Sequence, residues 1–193
     1  MSAFPQRDRF PYFPSYEQTG FIEEETKIKP VSCSGGNNCY LIGGMVGQEF
    51  SRMEKPTKRE WSEDAPRWRV AIGGLNLEGW CRNSSCSAYG GLVVHRWGFK
   101  NSGLFSYHDN EHECKCPLCD NYVQPITCGF TNCEWKVSGS KKNYPGDEPR
   151  KVDTDWQVAL DDGYTTFEDK LTELARWDNL QIRVKFLSSE RAQ

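Results

Sequence analysis

The stretch Cys114-Lys115-Cys116-Pro117-Leu118-Cys119 decides the fold of this 193-residue chain, together with Cys81 and Cys86 upstream of it. Two cysteines separated by two residues, one of them proline, are typical of a zinc knuckle, a tight turn that directs two thiolates at one tetrahedral ion. Cys81 and Cys86 lie on a second loop and supply two more thiolates. The pattern predicts one structural Zn²⁺ bound by Cys81, Cys86, Cys116 and Cys119. Cys114 or His112 could replace one member of this set.

Further candidate ligands surround this set, because the chain has nine cysteines. Cys128 and Cys133 repeat the spacing of Cys81 and Cys86, and they could form a second metal site with Cys114 and His112. The other interpretation is that they are small apolar side chains in strands, where free cysteine is common. The sequence leaves both interpretations open.

A four-thiolate site leaves no coordination position open for chemistry. The only close pairing of histidine and glutamate with a cysteine is His112-Glu113-Cys114, which lacks the spacing of the zinc deaminase signature. No glycine-rich phosphate-binding loop followed by lysine and serine or threonine occurs. The sequence therefore predicts that the protein is not an enzyme.

Composition and charge restrict the compartment and the partners. Residues 1–13 lack an apolar secretory core, and no apolar stretch has transmembrane length. We therefore expect reduced thiols in a cytoplasmic or nuclear protein with no membrane contact. The net charge is −3, and the sequence has no dense stripe of basic residues of the kind that bulk nucleic-acid binding requires. Aromatic residues reach 13%, including seven tryptophans, so a few large rings can bury much area.

Four segments are predicted along the chain. They are an extended aromatic and proline-rich arm (1–35), a short strand with a charged linker (36–66), a zinc-binding β module (67–142), and a loop, helix and closing strand packed on that module (143–193). The arm contains aromatic residues beside prolines, which favour extended backbone. Its rings are the candidate partner-binding residues Phe4, Phe10, Tyr12 and Phe13.

The predicted fold class is α+β and rich in β structure, with short antiparallel strands around the zinc site and one C-terminal helix. Alternation predicts a strand over residues 68–72 and a hairpin that pairs residues 92–97 with 104–107. The helix should begin at Thr165 or Thr166, where Glu168 completes a capping box. Its apolar face would be Phe167, Leu171, Leu174 and Ala175, and a closing strand should follow over residues 180–187.

Two further runs carry a family resemblance. They are Pro66-Arg67-Trp68-Arg69-Val70 with Gly74-Leu75-Asn76-Leu77-Glu78-Gly79, and the run from Cys116-Pro-Leu-Cys119 through Tyr122-Val123-x-Pro125-Ile126-Thr127-Cys128-Gly129-Phe130-x-Asn132-Cys133-x-Trp135. Together, over residues 66–142, they resemble the cysteine-rich module of little-characterised proteins of protists, fungi and other eukaryotes, which lies downstream of a ubiquitin-like segment. Residues 41–45 resemble a ubiquitin tail. The resemblance implies a zinc-stabilised module in a eukaryotic, ubiquitin-like-associated protein.

Two functions fit these observations. The first is a non-catalytic, zinc-stabilised module that binds a protein partner or belongs to a larger assembly. The alternative is a nucleic-acid-binding zinc module that uses a weakly basic central surface. Its candidate residues are Arg82, Arg96, Lys100, Lys136, Lys141 and Lys142 with the rings of Trp97 and Tyr107. Phosphate contacts weaken steeply with salt, whereas an apolar interface does not, so salt dependence separates the two.

Overall fold

The computed structural model describes residues 31–32, 38–39, 47–167 and 174–188. Contacts divide the chain into two compact units, Met1–Gly44 and Met45–Gln193. In the first unit, β1 (Val31–Ser32) pairs antiparallel with β2 (Asn38–Cys39). The predicted arm residues, which lie outside the described ranges and so stay a prediction, are Phe4, Phe10, Tyr12 and Phe13.

The second unit is built from antiparallel strands, which confirms the β-rich part of the prediction. Its strands are β3 (Gln48–Phe50), β4 (Pro56–Arg59), β5 (Gly74–Trp80), β6 (Leu92–Gly98), β7 (Leu104–Ser106), β8 (Thr127–Thr131), β9 (Cys133–Lys142), β10 (Arg150–Asp153), β11 (Gln157–Ala159), β12 (Tyr164–Phe167) and β13 (Ala175–Lys185). Helical segments in the described ranges are at most four residues long. They are α1 (Lys100–Gly103), α2 (Tyr107–Asn110) and the 3-10 turns Arg67–Arg69 and Glu111–Glu113.

Two sheets are formed by these strands. One has the order β10-β9-β13-β3, with β11 also pairing β9 and β7 also pairing β13. The other has the order β4-β12-β8-β5-β6. The chain passes from one sheet to the other between β8 and β9, where Asn132 has a φ of 48°. Asparagine tolerates this left-handed conformation better than most residues, so it suits a one-residue turn between strands.

One hydrophobic core is shared by the two sheets. Phe130 on β8 stacks on Trp135 on β9, with ring centroids 4.4 Å apart. Along β13 buried and exposed side chains largely alternate, as period-two geometry requires of a strand with one buried face. The largest fully buried core side chains are Phe50, Leu75, Leu77, Trp97, Phe105, Phe130, Val137, Trp177, Leu180 and Ile182.

Strand β5 is buried on both of its faces and leads directly to Cys81. Leu75 and Leu77 contribute to the shared core. Glu78, on the opposite face, is 3% exposed, and its carboxylate accepts hydrogen bonds from Arg69 at 2.5 Å and from the Tyr164 hydroxyl at 2.8 Å. Burying a polar group costs little stability when it keeps such hydrogen-bond partners. Strand β5 can therefore be buried on both faces and anchor the adjoining loop rigidly.

The prediction of a C-terminal helix beginning at Thr165 or Thr166 is wrong at both of its ends. Thr165, Thr166 and Phe167 lie on β12, which pairs with β4, and Ala175 begins β13. Leu174 precedes β13 outside any helix, and residues 168–173, which include Leu171, are not described. Threonine and aromatic residues favour strands, and pairing with neighbouring strands outweighed the capping signal.

Two predicted strand features also differ. Residues 67–69 form a 3-10 turn, and the strand begins only at Gly74. Strand β6 forms as predicted, but β7 pairs with β13 instead of returning along β6. Asn101 and Ser102, in the turn after β6, have φ values of 51° and 54°, and this left-handed turn directs the chain to the other sheet.

The predicted linker and loop contain strands as well. Within residues 47–66, β3 joins the six-stranded sheet and β4 joins the five-stranded sheet, and Phe50 is fully buried. In the loop predicted at the start of residues 143–193, β10 forms and pairs with β9. Charged side chains on exposed strand faces gave these segments a loop-like composition.

Candidate metal centre

The first half of the centre lies in the connection between β5 and β6. Cys81 immediately follows β5, and its carbonyl accepts the Gly90 N–H at 2.9 Å. The Cys86 N–H donates to the Asn83 carbonyl at 3.0 Å, which closes a turn between the two cysteines. Gly90 has a φ of 72°, a conformation that glycine adopts without steric cost. These turns direct both thiols to the same side of the loop.

The second half is a hairpin-like turn closed by the isolated bridge Lys115↔Tyr122. Within it the Asp120 N–H donates to the Cys116 carbonyl at 3.0 Å, and the Cys116 N–H donates to the Asn121 carbonyl at 2.9 Å. Asp120 has a φ of 57°, as the turn requires after Cys119. This is the geometry that the knuckle spacing predicts.

The two halves are brought together where the chain after the turn crosses β5. The Ile126 N–H donates to the Glu78 carbonyl at 2.8 Å. A Cβ on Gly79 would clash with the carbonyl oxygen of Gln124, so this approach requires glycine at that position. The crossing places the Cys116–Cys119 turn beside the end of β5.

The four predicted sulfur atoms form one compact cluster. The Sγ atoms of Cys81, Cys86, Cys116 and Cys119 all lie within 4.8 Å of one another. The Sγ atoms of Cys81 and Cys119 are 3.9 Å apart, as are those of Cys86 and Cys116. A tetrahedral ion with metal–sulfur bonds of about 2.3 Å separates its sulfur ligands by about 3.8 Å. The cluster therefore has the dimensions of a four-thiolate metal site.

Burial and hydrogen bonding give the thiols of Cys81 and Cys119 different acidities. Cys81 and Cys116 are buried, and Cys86 and Cys119 are partly exposed. Burial raises the pKa of the Cys81 thiol to about 12. A hydrogen bond from the Asn121 backbone N–H, with a further one from the Asn83 side chain, lowers the pKa of the Cys119 thiol to about 7. Because only the thiolate binds metal, Cys119 is more readily deprotonated for binding than Cys81.

Several residues that support the centre were missed by the sequence analysis. The Nδ1 atom of His95 on β6 accepts the Lys115 N–H at 3.1 Å and so fixes the backbone beside Cys116. Asn83 accepts the Ser85 N–H at 3.1 Å within the first turn. Side chains packed around the thiols are Ala88, Val93, Val123 and, partly buried, Trp68. Asn83 carried a turn signal in the sequence, whereas His95 carried none, because its contact depends on the fold.

The remaining candidate ligands do not join a second cluster. Among the described residues, no other group of three or more cysteine, histidine or carboxylate side chains has metal-binding dimensions. Cys114, Cys128 and Cys133 are at most 1% exposed and belong to the shared core. Burial raises the pKa values of Cys114 and Cys133 to about 12, so these thiols stay neutral. Of the two interpretations, the apolar one is confirmed.

The two aromatic rings of the predicted nucleic-acid-binding surface are buried. Trp97 is 1% exposed and Tyr107 is 2% exposed, so neither ring is available to stack on a base. The Tyr107 hydroxyl donates to the Pro125 carbonyl at 3.2 Å. Lys141 is buried beside Glu54 on the six-stranded sheet, whereas Arg96 lies on the five-stranded sheet. The candidate basic residues are therefore divided between two sheets.

No family model, curated protein or solved structure matches this chain. The resemblance to the cysteine-rich module of ubiquitin-like-associated proteins thus stays a prediction. In the described ranges, every helix is too short or too polar to cross a membrane.

Proposed function

We propose that this chain is a non-catalytic protein-interaction module whose fold is stabilised by one Zn²⁺. The observation that carries the proposal is the cluster of Cys81, Cys86, Cys116 and Cys119 with sulfur separations of 3.9 Å. Four thiolates complete a tetrahedral shell, and such closed sites contribute to folding and do not activate water. The half-sites come from separate loops, one after β5 and one at residues 115–122, so the ion joins two segments that are distant in sequence.

Zinc is the proposed ion because soft thiolate ligands in a tetrahedral arrangement favour Zn²⁺ or iron. Elemental analysis of protein purified under reducing conditions distinguishes the two. We expect one zinc per chain and no iron. Replacement by Co²⁺ should give the visible absorption of a tetrahedral tetrathiolate centre with the fold retained. Purified protein that contains one iron per chain, or no metal, would contradict this part of the proposal.

A binding role is supported by exposed apolar side chains on the second unit. Trp61 is 52% exposed, Val70 is 50% exposed and Ile72 is 39% exposed. Trp61 and Val70 line an open cleft of about 410 Å³ on the five-stranded sheet, together with Val94 and Tyr164. Apolar clusters of this kind are enriched at contact surfaces, and tryptophan is the residue most often central to them.

The test is recovery of a protein partner by the metal-loaded chain. We expect a partner that stays bound as salt is raised, that is lost when a chelator removes the metal, and that binds the Trp61→Ala variant at least about tenfold more weakly. Phe186→Ala is the matched control, since Phe186 is 72% exposed, follows β13 and does not line this cleft. Recovery of nucleic acid that is released by salt would favour the alternative function. A chelator-sensitive turnover of any substrate would show that the protein is an enzyme.

A further inference from the structure

A second candidate site lies on the six-stranded sheet, away from the four cysteines. It is a cleft of about 310 Å³ between the β3–β4 connection and strands β9 and β10. This volume lies at the lower end of the range of about 300–1,000 Å³ typical of small-molecule sites. None of the four clustered cysteines lines it, so it can be tested independently of the metal.

The inner part of the cleft is apolar and rigid. Trp135 and Trp177 line it, and they are 2% and 1% exposed. The Trp177 Nε1 donates to the Ser51 carbonyl at 3.0 Å, and Trp135 is stacked on Phe130. These contacts hold both indoles as a rigid backing that is nearly inaccessible. The apolar side chains of the lining that a ligand can reach are Met53, Pro56 and Val152. Preformed apolar walls with a few polar groups are the usual form of small-molecule sites.

The outer part of the cleft is cationic. Four basic residues line it (Arg52, Lys141, Arg150 and Lys151) against two carboxylates, Glu54 and Asp153. Asp153 is also 3.5 Å from Lys136, which lies outside the lining. The formal charge of the lining is therefore positive. A cation-lined cleft with low-dielectric walls concentrates the field and favours an anionic ligand.

One carboxylate already occupies the cationic end. A single Glu54 oxygen, Oε1, accepts from Lys141 Nζ at 2.8 Å, from Asn143 Nδ2 at 2.9 Å and from Arg150 Nη2 at 3.0 Å. Glu54 lies on the connection between β3 and β4, and its side chain is 38% exposed. Its position identifies the donor set that an incoming anion would use. Displacing an exposed side chain from a connection disturbs no strand pairing.

We propose that this cleft binds a small anionic ligand with an apolar body. The anionic group lies at Arg150, Lys151 and Lys141, where it competes with Glu54. The body lies against Met53, Pro56 and Val152. The chemical class is an aromatic or aliphatic carboxylate or sulfonate.

The probe for the test is 1-anilinonaphthalene-8-sulfonate, an aromatic anion whose fluorescence rises on transfer to apolar surroundings. N-phenyl-1-naphthylamine has a closely related ring system without the charge and serves as the neutral comparison. We expect saturable binding of one sulfonate per metal-loaded chain, at least about tenfold tighter than the neutral compound, because the cationic lining acts only on charge.

Variants locate the binding. The double variant Arg150→Gln/Lys151→Gln changes exposed side chains and should weaken sulfonate binding about tenfold, with little effect on the neutral compound. Arg96→Gln, on the five-stranded sheet, is the matched control and should change neither. Glu54→Gln removes the competing carboxylate and should tighten sulfonate binding several-fold.

Circular dichroism confirms that each variant is folded before binding is compared. Equal binding of the charged and neutral compounds, or sulfonate binding that the Arg150/Lys151 double variant leaves unchanged, would overturn the proposal. Weaker sulfonate binding by a folded Glu54→Gln variant would also overturn it, since that carboxylate would then assist the ligand.

Discussion

Two groups of cysteines in this chain differ in where their sulfur atoms lie. Cys81, Cys86, Cys116 and Cys119 lie in turns, with their sulfur atoms directed at one point. Cys114, Cys128 and Cys133 are packed among the aromatic side chains of the shared core. The difference is local: Cys114 is only two residues from Cys116, yet it lies in the core.

The comparison shows what makes a cysteine a metal ligand. Cys128-x4-Cys133 has the same spacing as Cys81-x4-Cys86, but Cys128 lies on β8 and Cys133 begins β9 in the other sheet. The single turn residue between these strands, Asn132, does not form a loop that brings the two thiols together. Spacing alone therefore does not identify a ligand pair. Turn-forming residues around the cysteines, such as Asn83, Gly90 and Asp120, separate the two groups.

The largest effect should come from Cys116→Ser. Loss of one thiolate removes a metal whose apparent binding free energy in small zinc domains is about 10–16 kcal/mol. We expect the variant to retain no metal by elemental analysis. Rapid amide hydrogen exchange should appear across residues 81–91 and 115–123, because metal binding and folding of these loops are coupled.

Cys133→Ala is the matched change in the other group. It should leave one metal per chain and lower the free energy of unfolding by about 1–3 kcal/mol, the usual range for a core substitution. Urea unfolding and elemental analysis on the same samples measure both quantities. If Cys133→Ala lost the metal, or if Cys116→Ser kept it, the division of the cysteines into two groups would be wrong.

An intermediate effect is expected from Phe130→Ala. Phe130 is fully buried and stacks on Trp135 across the two sheets, so truncation leaves a cavity and costs about 3–5 kcal/mol. The metal loops contact a separate, smaller cluster of buried side chains. Folded Phe130→Ala protein should therefore still bind one metal per chain. Folded Phe130→Ala protein with clearly less than one metal per chain would show that the two clusters form a single cooperative unit.

Each half of the metal cluster was predictable from the sequence because its information is local. The knuckle spacing and its proline define the turn without reference to the rest of the chain. The support from His95 was not predictable, because Lys115 becomes its neighbour only after β6 is placed. The pairing of β7 with β13 is equally non-local, since Phe105 and Ile182 are distant in sequence. Helix and strand signals near Thr165 competed, and pairing with β4 decided the outcome.

The smallest effect is a change in the free energy of unfolding at acidic pH. It is tested at Glu54, which lies outside the metal loops. A hydrogen bond from Lys141 lowers the pKa of the Glu54 carboxyl from 4.5 to about 2. A lowered pKa in the folded state contributes stability that is present above pH 4.5 and is lost as the pH falls toward 2. Glu54→Gln, which cannot ionise, lacks this contribution at every pH.

Wild type and Glu54→Gln should therefore differ most in the free energy of unfolding above pH 5 or so, and the difference should shrink as the pH falls through the window below 4.5. Both proteins have the same four cysteines, so proton competition for the metal affects both alike and cancels in the difference. Urea unfolding of the two proteins at a series of pH values measures it. A difference that stays constant with pH would mean that the Glu54–Lys141 contact does not contribute to acid sensitivity, and that the metal loops and other groups account for it.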